Sequence, residues 1–382
     1  MSHPPPLGLY VHWPYCTRIC PYCDFNVVRD RGRADEAAAL AGAIVADISA
    51  TAALIGPRRL VSIFFGGGTP SLMAPAQVAA IVETARRLWE TGADLEITLE
   101  ANPTDAEAAR FAAFAAAGVN RLSLGVQSLD DAALCFLGRN HDSAAARRAV
   151  ETAKAAFSRL SIDLIYALPD QSVAAWTAQL RQAVALGAEH LSPYQLTVAP
   201  GTAFHRAASR KAWRPPDGAG AADLFEATAQ VLEDAGFDAY EISNHARGEA
   251  ARARHNLIYW RGQDYVGVGP GAHGRLTFGG CRWASLAPNG IGPYIEAVNS
   301  CGIGSVHEQL SPRDIALERL LMGLRTREGV AIDELSPLHL ADEMLRGLEA
   351  DEMATLAGGR ITVIGRGRLV LDRITAELAG SV

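Results

Sequence analysis

Cys16, Cys20 and Cys23 crowd into eight positions of the segment HWPYCTRICPYCDF, and Phe25 follows two places after the last. Thiolates this close together in a long, enzyme-like chain hold metal more readily than they form a disulfide scaffold. A structural zinc ion takes four ligands, often as two well-separated pairs. Here there is one triplet, and His12, which could serve as a fourth ligand, lies four residues before Cys16 within a strand run. A fully ligated [4Fe–4S] cluster also takes four cysteines. Three cysteines leave one iron without a protein ligand, and a small molecule can coordinate at that open position.

Such a site needs a frame. Strand runs rich in β-branched or aromatic residues are expected at Leu9–Trp13, Val61–Phe65, Leu95–Leu99, Arg121–Val126, Ile162–Tyr166 and His190–Leu196. Amphipathic helical stretches lie between them, near 34–54, 75–91, 104–117, 142–157 and 172–186. Repetition of strand and helix argues for a parallel sheet of βα units: a whole or partial barrel, with an open doubly wound sheet as the alternative. Polar groups recur where a barrel keeps its chemistry, at or within these runs: GGGTP after Phe65, Glu100 after Leu99, Gln127 after Val126, and Asp163, Tyr194 and Gln195. Beyond residue 200 the pattern breaks into a Pro- and Gly-rich loop, a helix near 219–235 and the glycine-rich YVGVGPGAHG. A new helix is expected after Ser311 as N-cap, with Pro312 in its first turn. The end, GGRITVIGRGRLVLDR, reads as a hairpin turning at Gly365–Gly367, completing a small winged-helix-like unit. The organisation expected is 1–200, 201–305 and 306–382.

Composition narrows the function classes. The 382 residues carry a net charge of −7, so no overall basic field attracts nucleic acid. The opening MSHPPPLG lacks the basic and apolar regions of a signal peptide. The apolar window AAALAGAIVADISATAALIG carries Asp47 and reads as a packed helix, leaving at most transient membrane association. Tight cysteine spacing points to a reducing compartment, and the expectation is a cytoplasmic protein.

The triplet resembles the signature of the radical S-adenosylmethionine (radical SAM) superfamily. That resemblance implies a [4Fe–4S] cluster on Cys16, Cys20 and Cys23, with S-adenosylmethionine (SAM) on the open iron, in a partial (β/α)6 barrel carrying a small C-terminal helical, winged-helix-like domain. Tyr10, six residues before Cys16, stands where relatives set a tyrosine against SAM. Gly67, Gly68 and Thr69 match the glycine motif that meets the methionyl amino group; glycine lets backbone come close, and successive N–H groups can hold a carboxylate. Glu100, Gln127, Arg139 and Asp163 match the remaining SAM contacts; carboxylate and amide suit a ribose diol, and arginine suits the SAM carboxylate. One stretch departs: Ala167-Leu168-Pro169-Asp170-Gln171-Ser172 stands where relatives often have Gly-Leu-Pro-Gly-Gln-Thr.

Over nearly its whole length the chain is similar to the oxygen-independent coproporphyrinogen III oxidase group. The decarboxylating branch has a further cysteine where this chain has Phe25. The other branch, the HemW-type haem chaperones, shares YEISNHA and HNLIYW, residues 255–260. The resemblance implies haem binding through His255, Asn256, Tyr259 and Trp260: an imidazole for the iron and flat faces for the macrocycle. His273 in GPGAHG is a second candidate ligand, and His245 a weaker one. Haem-acceptor proteins and an electron donor are the partners implied. The alternative is an enzyme that oxidatively decarboxylates coproporphyrinogen III.

Overall fold

The computed structural model describes residues 4–380. Met1–His3, the start of the segment read above for a leader, lie outside it. Six strands run parallel in chain order: Pro6–Trp13, Arg59–Gly67, Glu90–Ala101, Arg121–Gln127, Arg159–Tyr166 and His190–Gln195. One face of each strand is apolar and packs under the helices, with Leu7, Leu9, Val11, Ile63, Phe65, Ile97 and Leu99 fully buried; the alternate positions turn polar groups such as Ser62, Glu96, Thr98 and Ser161 to the inner face. All six expected strands form, and each ends within two residues of its expected last position.

The sheet does not close. Beyond Pro6–Trp13 it continues through Asp264–Val268, which is parallel to it, and then antiparallel through His273–Phe278, Cys281–Leu286 and Val306–Gln309. At the other edge it ends in two short strands, His245–Ala246 and Asp238–Ala239. The result is a partial barrel with flanking strands. Helices Ala34–Ile55, Pro75–Leu88, Ala108–Ala116, Ser143–Ala156 and Val173–Ala185 cover it where the periodicity placed them. Ala34–Ile55 is long and apolar enough to cross a membrane. Here its Leu40, Ile44 and Ile48 are fully buried, and Asp47 accepts hydrogen bonds from Tyr294 at 2.8 Å and Thr51 at 3.3 Å.

The C-terminal residues build a second core around Leu320, Val330, Leu335 and Ile361. Ser311 caps helix Pro312–Gly323, its Oγ accepting from the Asp314 amide at 3.1 Å. One expectation fails. The hairpin pairs Ala354–Ala357 with Arg360–Val363 and turns at Gly358–Gly359, both with positive φ. Gly365–Val370 is a short 3-10 helix leading into helix Leu371–Leu378. Two glycine pairs competed for one turn, and apolar alternation in RITV did not choose between them.

Candidate metal and cofactor site

The cysteine loop leaves the sheet after Trp13 and returns on itself. Tyr15–Cys16 pairs in parallel with Val28–Arg29, and the Cys23 amide donates to the Cys20 carbonyl at 3.1 Å. All three cysteines line one cavity of about 460 Å³ at the C-terminal strand ends. No three ligand-type side chains among the described residues converge on one point, as a single tetrahedral ion requires. Burial raises the Cys16 thiol and pushes Cys23 up to about 11, so their thiolates need a bound cation. The donor set fits a multi-iron cluster. Arg139 reaches the Cys20 Sγ at 3.3 Å, and the Thr69 hydroxyl reaches the Cys16 Sγ at 3.5 Å.

The glycine turn works differently from the expectation. The Gly68 and Thr69 amides donate to the carbonyls of Trp13 and Tyr15, both at 2.8 Å, so they do not form a free anion cradle. What glycine supplies is clearance: a Cβ on Gly67, whose φ is 107°, would lie 2.5 Å from the His12 ring, and one on Gly68 2.7 Å from the Pro14 backbone. The turn is thereby locked against the strand that feeds the cysteine loop.

Glu100, Gln127, Arg139 and Asp163 all line the cysteine cavity. Tyr10 lies on the far side of Gly67 and Glu100, in a neighbouring cavity, its hydroxyl 3.0 Å from the His12 Nδ1. Gln127 sits at φ 65°, and the Ser128 amide bonds back to the Val126 carbonyl at 2.8 Å. This tight turn breaks the strand register and aims the side chain inward. Arg139 donates to Asn102 at 2.5 Å and to the Gly125 carbonyl at 3.0 Å, while its buried Nε–H has no partner. Burial, then the charge of Asp163, pushes Glu100 up to about 8; burial also raises Asp163, against the hydroxyl of Ser123 at 2.8 Å. Two carboxylates with raised proton affinity call for a cation. SAM carries an ammonium, a sulfonium and a carboxylate, so these residues fit it.

HNLIYW forms helix Arg254–Trp260, whose first amides are held from below. The fully buried Glu96 accepts from the backbone of Arg254 and His255, both at 3.1 Å, and from Arg159 at 2.8 Å. The helix separates two cavities. Asn256 faces the cysteine cavity; Tyr259 and Trp260 face the other, about 790 Å³ in volume. His255 faces neither. Its Nδ1 meets the Ser62 hydroxyl at 2.8 Å, its Nε2 meets the Tyr259 hydroxyl at 2.7 Å, and it is 1 % exposed. The expected iron ligand is therefore closed in this conformation. Burial pushes it down to about 3, a neutral ring serving as a structural strut. His245 is likewise buried, outside both cavities. His273 is exposed and lines the larger cavity.

Three participants escaped sequence reasoning. Arg121 is 2 % exposed in the cavity wall, and its charge lowers the proton affinity of Glu96, Glu100 and Asp163. As the first residue of a strand run it carried no signal of burial. Asn102 joins Arg139 to the Thr69 hydroxyl, the latter at 3.1 Å; its position two residues past Glu100 in TLEANP was the available clue. Asn26 donates from one amide nitrogen to the carbonyls of Pro270 and Asn289, each at 2.9 Å. It ties the cysteine loop to the turn before His273, a long-range contact that no local pattern announces.

Residues 10–178 match the radical SAM superfamily. The chain is 43 % identical over 332 residues to the mitochondrial radical S-adenosyl methionine domain-containing protein 1 of Bos taurus, covering 85 % of this chain and 74 % of that one. It is 42 % identical to the heme chaperone HemW of Escherichia coli K12, covering 72 % and 71 %, and 33 % identical to that of Mycobacterium tuberculosis H37Rv, covering 98 % and 95 %. In three dimensions it is similar to the coproporphyrinogen III oxidase HemN of Escherichia coli, with a TM-score of 0.82 at 22 % identity, over 99 % of this chain and 91 % of that one. At that identity the likeness concerns the fold.

Proposed function

Since the chain belongs to the radical SAM superfamily, and within it to the HemW group, we propose that it is a haem chaperone holding a [4Fe–4S] cluster, SAM and haem. It passes haem to acceptor proteins. When bound, the cluster supplies an open iron for SAM and a source of one electron. The chain's own groups bind and orient. Cys16, Cys20 and Cys23 hold the cluster. Glu100 and Asp163 meet positive or hydroxyl groups of SAM, Arg139 offers its unpaired Nε–H, and Gln127, Gly67, Gly68 and Thr69 shape the pocket. Tyr10 buttresses it from behind.

The observation that carries the reading is a second cavity adjoining the first. It shares Asp24, Phe25, Gly67 and Glu100 with the cysteine cavity, and its other walls include Tyr259, Trp260 and Tyr265. A flat macrocycle needs aromatic faces. At about 790 Å³ the cavity lies in the size range of small-molecule sites. Phe25 is 65 % exposed at the shared boundary, where the decarboxylating branch has a cysteine. We place the protein in a reducing compartment, the six cysteines being free thiols, with a separate electron donor for the cluster. The unit from residue 306 onward closes the second cavity through Ile315, Glu318, Arg319 and Met322.

The test is anaerobic reconstitution with iron and sulfide, then haem titration with and without SAM. Stoichiometric haem retention and transfer to an apo-haemoprotein are expected. Turnover of coproporphyrinogen to protoporphyrinogen with SAM and reductant would replace the carrier reading by the enzymatic one.

A further inference from the structure

The haem reading leaves the iron without a ligand, because His255 spends both ring nitrogens inside the wall. The second cavity contains two other imidazoles. His12 is also engaged, its Nε2 lying 2.8 Å from the Asn26 carbonyl oxygen and its Nδ1 3.0 Å from the Tyr10 hydroxyl. His273 is exposed to the cavity, and no hydrogen bond to its ring is found among the described residues.

Resting on the haem-chaperone reading, we propose that His273 is the protein ligand to haem iron, with the macrocycle lying in the aromatic cavity beside Phe25. An unpaired imidazole costs little to desolvate if a metal takes its lone pair, and iron needs the neutral ring. Partial burial and the positive charge of Arg275 hold His273 below the ordinary histidine range, so the ring is neutral at pH 7.

The turn bearing His273 is built for placement. Gly269 and Gly271 have φ of 101° and 76°; a Cβ on Gly269 would lie 2.3 Å from the His12 carbonyl oxygen, and one on Gly271 2.6 Å from the Asn26 amide nitrogen. Only glycine lets this turn press against the strand end and the cysteine loop. Asn26, three residues past Cys23, then ties that loop to the turn through the Pro270 carbonyl. The iron ligand and the cluster ligands therefore sit on two segments joined by one side chain.

The test loads full-length, anaerobically reconstituted protein with ferric haem and records haem EPR, in which the oxidised cluster is silent. His273→Ala is expected to weaken haem retention by about tenfold or more and to change the haem signal, because removing a side chain that binds the iron costs at least as much as removing one that only orients such a ligand. Added imidazole restores the signal. His273→Cys is expected to give a thiolate-ligated spectrum instead. The cluster absorbance stays unchanged in both variants, and His255→Ala leaves the iron signal in place. If both His273 variants bind haem with the wild-type signal, or if His255→Ala alone alters it, the assignment is overturned. If wild-type protein retains no haem at all, the underlying chaperone reading falls and this assignment with it.

Discussion

The two cavities meet at Phe25 and Glu100, yet their walls use different physics. On the cysteine side the lining is ionic and hydrogen-bonded: the charges of Glu100, Asp163 and Arg121 act on one another, and Arg139 reaches Cys20, Asn102 and the Gly125 carbonyl. On the other side Phe25, Tyr259, Trp260 and Tyr265 supply flat faces, Tyr259 packing edge-on against Tyr265 with ring centroids 4.5 Å apart, while Arg275, Arg282 and Arg319 are each paired with a carboxylate, Glu318, Asp264 and Glu334. A site that must fix a small charged molecule needs directed donors and acceptors. A site that takes up and releases a flat hydrophobic cargo needs area with few directed bonds. The boundary between them carries one exposed aromatic ring, Phe25, and two carboxylates, Asp24 and Glu100.

That contrast is easiest to break at the cluster. Cys20→Ala is expected to abolish it: no brown colour and no iron-sulfur absorbance after reconstitution. Cys20 lines only the ionic cavity, so haem retention should survive. Loss of haem together with the cluster would mean that the cavities are not separable. Glu96→Ala attacks the partition itself. It strips the first amides of helix Arg254–Trp260 of their acceptor and leaves the largely buried Arg159 without its shortest ion pair. Breaking such a buried pair costs about 3–5 kcal/mol, so chemical denaturation should show a loss of that size. A loss below about 1 kcal/mol would show that the helix holds itself. Trp260→Ala should weaken haem binding by about tenfold, the worth of roughly 1.4 kcal/mol, with iron content unchanged.

Glu96 and Glu100 sit on one strand with opposite shifts, and that separates their pH signatures. Burial opposes ionisation of Glu96, but Arg121, Arg159 and two backbone amides outweigh it and lower its proton affinity. Its stabilisation is present above the ordinary value of 4.5 and is lost as pH falls through its lower folded value. Glu100 is raised to about 8, so the native state holds more protons than the unfolded chain between 4.5 and 8. Stability of the ligand-free protein should therefore fall as pH rises across that window. Glu100→Gln should flatten this alkaline slope, and so should saturating SAM, whose positive charge favours the carboxylate. Thermal melts from pH 5 to 8.5 measure both; an unchanged slope in the variant would assign the titration elsewhere.

How much of this was legible follows from distance along the chain. The cysteine triplet, the six strand runs and the polar residues at their ends are local patterns, set by spacing and by a period of two or 3.6 residues. They brought Glu100, Gln127 and Asp163 to one end of the sheet, where all three line one cavity; Arg139, which lines it too, was reached through the family resemblance and not through a local pattern. Arg121 was hidden because burial of a cation depends on what packs around it. The closed setting of His255 was hidden because its partner Ser62 lies 193 residues away and occupies one ring nitrogen. The second cavity is assembled from the cysteine loop, the helix at 254–260, the turn at 269–273 and the helix at 312–323. No local signal specifies such a meeting.

The departure at Ala167-Leu168-Pro169-Asp170 gives the smallest test. Ala167 and Asp170 stand where relatives often have glycine, and both have positive φ, 60° and 56°. The backbone therefore keeps the glycine conformation without the glycine. Alanine there carries a steric cost of roughly 1–2 kcal/mol, whereas aspartate visits the left-handed region more readily. Ala167→Gly removes the clash but gives the unfolded chain back about 0.4–1 kcal/mol of entropy. The net expectation is a gain of about 0.5–1 kcal/mol at Ala167 and about zero at Asp170. Ala167 is 2 % exposed, so the substitution also removes one buried methyl group, which sets the gain near its lower limit. Urea denaturation of both variants resolves the pair. Destabilisation by Ala167→Gly beyond about 1 kcal/mol would mean that the methyl group packs too well for backbone relief to matter, and that this turn has adapted to alanine.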